Sequence, residues 1–190
     1  MAVQHSTISD PNLHEPKGAS TASSGQVYVA DGLGSGVWRE LSEFSGAMTI
    51  TNNATPLAVT AAVDTTLNTF SDFVQITGWA AGVLDKLTFG SNALTIPVNG
   101  GGKYLVDAYM NLASDTINSD VAIKFAVNGV SGVSRRPRHF LAATNEFYNL
   151  SASGLVTLND GDVVTLWVAS DKTINLTVQD SSFLLHRVGE

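Results

Sequence analysis

From Ala47 to Glu190 the chain is a succession of short apolar stretches bounded by turn residues, with no sustained helical spacing between them. The first are AMTIT (47–51), PLAVT (56–60), FVQIT (73–77), VLDKLTF (83–89) and ALTIPV (93–98). KYLVDAYMNLA (103–113), VAIKFAVNG (121–129), FYNLSASGLVTL (147–158), DVVTLWVAS (162–170), TINLTVQ (173–179) and SFLLHRV (182–188) follow. A chain patterned this way buries its apolar side chains by packing sheet on sheet, so it predicts an all-β sandwich or barrel.

Alternation assigns the faces. In 103–113, Tyr104, Val106, Ala108, Met110 and Leu112 share one face, while Lys103, Asp107, Asn111 and Tyr109 share the other. In 121–127, Val121, Ile123, Phe125 and Val127 oppose Lys124, and both stretches read as half-buried antiparallel strands. Two stretches depart from this. Val163 and Trp167 oppose Val164, Leu166 and Val168, and Phe183 and Leu185 oppose Leu184. A strand apolar on both faces needs a second cover, either another subunit or a loop of the same chain. The first option makes Tyr109, Val164, Leu166, Val168 and Leu184 the expected subunit interface.

The N-terminal part differs. Residues 1–25, MAVQHSTISDPNLHEPKGASTASSG, combine two prolines with small polar residues and have no periodicity, as expected of an extended arm that orders on a partner. QVYVADGLGSGVWREL (26–41) has a glycine-rich turn between two apolar runs and reads as a small hairpin, too small to be stable alone. The division expected is an arm at 1–25, a hairpin and linker module at 26–46, and the sandwich at 47–190.

Only 14% of the 190 residues are charged, against roughly 25% in an average domain, while 44% are apolar. So few charges suggest a surface partly hidden against a partner. The formal net charge of −7 argues against nucleic acid or an anionic membrane as the main partner. The absence of cysteine removes disulfides and thiolate metal sites. The first 25 residues contain no apolar run of the kind a signal peptide or membrane span needs.

Three segments together resemble a known family. ALTIPVNGGGKYLVDAYMNL (93–112), GLVTLNDGDVVTLWV (154–168) and SSFLLHRVG (181–189) resemble, in order and spacing, strand pairs of the tumour necrosis factor and complement globular-head jelly rolls. Leu184 and Leu185 follow Phe183 where that family has a glycine. The resemblance implies a ten-strand jelly-roll β-sandwich that assembles as a homotrimer. DPNLHEPKG (10–18) with VYVADGLGSGVW (27–38) resembles a module of small structural proteins of tailed bacteriophages. That resemblance implies a virion protein, made in the host cytoplasm and placed on the capsid surface. His14, Glu15, Pro16, Lys17, Gly18, Tyr28 and Trp38 would then be the attachment residues and the major capsid protein the partner.

Catalytic and metal signatures are weak. His5, His14, His139 and His186 are scattered, and none has a metal-ligand spacing to another donor. GGGK (100–103) lacks the remaining residues of a phosphate loop, Pro97 and Tyr104 standing where glycine and Ser or Thr are required, and reads as a hairpin turn. Asp115, Asp120, Asp160, Asp162 and Asp171 lie in turns without the spacing of a calcium loop. No catalytic residue, metal or cofactor is therefore expected. The basic run RRPRH, with Arg135, Arg136 and Arg138, is a candidate partner-contact loop. The function expected is capsid decoration. The alternative is the receptor-binding tip of a tail fibre or spike.

Overall fold

Among residues 22–23, 26–30, 36–40, 44–131 and 137–189, which the computed structural model describes, every regular element except the 3-10 turn Phe70–Asp72 is a strand. The first of two units, Met1–Ser42, contains β1 (Gln26–Ala30) and β2 (Gly36–Glu40), paired antiparallel with Tyr28 opposite Trp38. Gly36 is required there, because a Cβ would run into the carbonyl oxygen of Val29.

The second unit, Glu43–Glu190, opens with β3 (Ser45–Ile50), β4 (Leu57–Val59), β5 (Val74–Gln75), β6 (Ala80–Asp85), β7 (Thr88–Gly90) and β8 (Ala93–Thr95). β9 (Gly102–Ser114), β10 (Ser119–Val127), β11 (Val130–Ser131), β12 (Arg138–Leu141), β13 (Tyr148–Leu158), β14 (Val163–Ser170) and β15 (Ile174–Gly189) complete it. One sheet runs β13-β9-β15-β3-β6, with β4 also on β15. The other runs β11-β10-β14-β8-β7, with β12 on β10 and β5 on β14. All named strand pairs are antiparallel. From β9 onward the chain steps between sheets, so β9, β13 and β15 lie in one and β10 and β14 in the other.

The inward rows meet between the sheets. Met48, Tyr104, Val106, Met110 and Phe183 from one sheet and Ile123, Phe125 and Leu166 from the other are buried in a single cluster. The rings of Phe125 and Phe183 lie 5.8 Å apart. Each such side chain stabilises the sandwich by roughly 1.5–3 kcal/mol relative to exposure. The alternation expected in β9 is present in full, since Tyr104, Val106, Ala108, Met110 and Leu112 all face this core.

Five expectations change. Val164, Leu166 and Val168 are completely buried in the inter-sheet core of their own chain, so they have no surface to offer a second subunit. The second apolar face of β14 is covered at its Trp167–Ala169 end by a loop: Ala62, Leu67 and Phe73 pack with Phe70 onto Ala122, Ala169 and Trp167. With the inter-sheet core on one face and this loop against Ala122 and Lys124 on the other, β10 is not half-exposed. VLDKLTF is broken into β6 and β7, because Lys86 takes the left-handed backbone conformation at φ 64°. The two closing stretches form the single strand β15, with a register shift between Val178 and Ser181 where a turn was expected. GGGK is likewise a crossing between the two sheets rather than a hairpin turn, since β8 and β9 do not pair.

Candidate interaction surfaces

Three surfaces stand out, and strand register builds the first. On the outer face of the β13-β9-β15-β3 sheet, cross-strand pairing aligns Ser151, Tyr109, Ser182 and Thr49 in one row and Ser153, Asp107, Leu184 and Ala47 in the next. A third row contains Leu155, Leu105, His186 and Ser45. Asp107 is the one carboxylate in these rows, and Leu155 is 68% exposed, Tyr109 43% and Leu184 37%. Tyr109 and Leu184, two of the expected interface residues, thus lie together on an open and nearly uncharged face. Leu105 and Leu155 belong with them. Alternation carried through 103–113 and 147–158 would have put both in the outward register.

At one end of this face the Tyr109 hydroxyl donates to Asn149 Oδ1 at 2.8 Å, and Asn111 Nδ2 donates to the same oxygen at 2.9 Å. The bonds hold the Tyr109 ring in place, which lowers the entropy lost when a partner packs on it.

The second surface is the hairpin. Tyr28 and Trp38 pack edge to face with ring centres 5.3 Å apart, leaving both half-buried. Val27, Val29 and Val37 on its other face are exposed. His14, Glu15, Pro16, Lys17 and Gly18 lie outside the described residues, as do Arg135 and Arg136. Arg138 is described and is engaged within its own chain, donating to Asp120 Oδ2 at 2.8 Å and to the Thr66 carbonyl at 3.3 Å.

The third surface, which the sequence reading missed, is an open groove of about 590 Å³ over the outer face of β14. Thr165 and Trp167 form its floor with Gln75 and Thr95, between the turns that carry Ser91 and Asn128. Its residues come from four separate stretches, each unremarkable alone, so no local signal could have assembled it.

The turn aspartates serve the fold. Asp115 accepts the backbone and side-chain N–H groups of Asn175, which hold its carboxyl below the usual range. Asp171 accepts the Asp120 amide at 2.7 Å, and Asp162 accepts those of Asn159 and Asn128. Among the described residues no three His, Asp or Glu side chains come together as a metal site. No described helix is long and apolar enough to cross a membrane.

No protein-family model matches the chain, and no curated protein matches it in sequence. Solved structures match it in shape. The structure of Eiger TNF from S. frugiperda superposes with a TM-score of 0.50 and 10% identity, over 77% of this chain and 95% of that one. The fold is a tumour necrosis factor jelly roll. Murine APRIL at pH 5.0 is similar over 76% of this chain and 99% of its own, with 11% identity and a TM-score of 0.47. At such identities the likeness establishes the fold alone.

Proposed function

We propose that this chain is a non-enzymatic capsid decoration (cement) protein of a tailed bacteriophage, which binds the major capsid protein on the outer head surface as a homotrimer and stabilises the shell. The observation that carries the reading is the open sheet face around Tyr109 and Leu184, nearly free of charge in a chain of net charge −7. A second and third copy are its natural cover, and the jelly-roll resemblance favours that assembly. Attachment falls to the arm and hairpin. HEPKG and VYVADGLGSGVW resemble the phage module, and Val27, Val29 and Val37 present an apolar strip on the face opposite the Tyr28–Trp38 pair. Three arms on one body raise the effective concentration of each for the shell.

Deleting residues 1–41 tests this. The truncated protein should remain a folded trimer and no longer sediment with heads stripped of decoration, while the intact protein does. Equal occupancy by both would remove the arm from the mechanism. Binding of the intact protein to host cells but not to heads would favour the receptor-binding tip instead.

A further inference from the structure

The groove over β14 has no part in the capsid reading, and its construction suits a small ligand. We propose that it binds a neutral saccharide, with Trp167 as the stacking platform and Gln75, Ser91, Thr95 and Asn128 as the hydroxyl-reading groups. Its volume of about 590 Å³ falls within the range of small-molecule clefts, roughly 300–1,000 Å³.

The platform is set before any ligand arrives. Trp167 Nε1 donates to Thr165 Oγ1 at 2.7 Å, and the Phe70 ring packs 5.1 Å from the indole. A fixed aromatic face offers the C–H face of a sugar ring a contact that costs little side-chain entropy. The amides beside it are also held. Gln75 Nε2 donates to the carbonyls of Ser91 and Asn92 at 3.4 and 3.3 Å, which leaves Oε1 as an acceptor. Asn128 accepts the Val163 N–H at 2.9 Å and donates to Asp162 at 2.8 Å, which leaves one N–H as a donor. The hydroxyls of Ser91 and Thr95 can do either. Mixed donors and acceptors around an aromatic ring complement sugar hydroxyls, each of which both donates and accepts.

Charge narrows the ligand class. No residue lining the groove is ionisable. Asp162, at its margin, is occupied by the N–H groups of Asn128 and Asn159. Lys124 stands opposite Trp167 in register, but its ammonium goes to the Asn68 carbonyl at 2.8 Å and the Phe73 ring. A phosphate or sialylated ligand would find no counter-charge, and a wholly apolar one would strip water from the amides and hydroxyls. The proposal is independent of where the chain sits on a virion, and its test needs only the purified protein.

The experiment is saturation-transfer NMR on the full chain with maltotetraose, cellotetraose, chitotetraose, mannotetraose and lactose as probes, each at millimolar concentration. At least one should receive saturation on its ring protons. Trp167→Leu should abolish that transfer, and Gln75→Ala or Thr95→Val should weaken affinity about tenfold, the worth of one hydrogen bond. Trp167→Leu also loses the Phe70 contact, so the nearly isosteric Thr95→Val keeps the test decisive if that variant unfolds. Failure of every probe overturns the proposal, as does binding that survives all three substitutions. A fall in oligomeric mass caused by Thr95→Val would identify the groove as a subunit contact and overturn it equally.

Discussion

The Asp160 carboxylate accepts the backbone N–H of Gly101 at 2.7 Å across 59 positions of sequence, while its other oxygen accepts that of Asn99 at 2.8 Å. Gly101 lies on the crossing from β8 to β9 and Asp160 on the crossing from β13 to β14, so one side chain ties together two passages between the sheets. The Tyr104 hydroxyl donates to the Gly100 carbonyl at 2.6 Å from below, and burial pushes its phenol pKa up.

Replacing that carboxylate should therefore cost more than replacing a carboxylate without such bonds. Asp160→Ala is expected to lower Tm clearly more than Asp85→Ala, and Asp160→Asn should recover part of the loss through its remaining carbonyl. Equal melting of the three variants would show that the clamp contributes nothing.

Acid stability follows from the same kind of bond. The Thr66 hydroxyl and amide bring the Asp64 pKa from 3.8 to about 2, and the Asn99 and Gly101 amides lower that of Asp160. A carboxyl depressed in the folded state binds fewer protons there than in the unfolded chain. Its contribution is complete above pH 4 or so and disappears as pH falls through about 2. Tm should thus be flat near neutrality and fall between about pH 4 and 2. Asp64→Asn should flatten that limb in scanning calorimetry.

Leu184 and Leu166 separate association from folding. Leu184→Asp places a charge on the open face and should yield a folded monomer by light scattering where the parent chain is expected to be a trimer. Leu166→Asp places one in the core, at a cost of about 3–5 kcal/mol, and should unfold the chain instead. A wild-type mass equal to one chain at micromolar concentration would end the trimer proposal.

Lys124 holds the cover of β14 by its bond to the Asn68 carbonyl and its position 5.0 Å from the centre of the Phe73 ring. Lys124→Met should free the segment around Leu67 by about 1–3 kcal/mol. Hydrogen exchange would then quicken at the Leu67 amide while Leu166 stays protected.

Chelator treatment should leave Tm within about 2 °C of its starting value, since a metal saturating a site at 100 times its Kd adds roughly 2.7 kcal/mol. A larger drop would mean that the turn aspartates hold a cation.

The sandwich was legible because alternation is a physical consequence of the pleat: β9 needed nothing beyond its own residues to declare which side was core. Alternation cannot name what covers a face. Val164 and Leu166 were expected at a subunit contact, and only the facing sheet on one side and the loop carrying Leu67 and Phe70 on the other, both remote in sequence, made them core. Backbone breaks without glycine or proline were equally silent. Lys86 ends β6 in a left-handed conformation that nothing in VLDKLTF announces, whereas Asp180 and Ser181 look like a turn and form a bulge. The two-residue β11 and the four-residue β12 are too short to stand out by pattern. For the surfaces, Tyr109 and Leu184 were found by their register, while the groove brings together residues that no single stretch contains.

β15 lies between β9 and β3, pairing with both and with β4, yet it is the last strand in chain order. During synthesis the ribosome delivers β3, β4 and β9 well before the strand that joins them, so each waits with an unsatisfied edge. Completion of that sheet therefore waits for residues 174–189. Until residues 174–189 emerge, a nascent chain is open to pairing with its neighbours on the same message, and a pause or truncation shortly before Ile174 would release a product with a gap at the centre of the sheet, not merely a frayed end.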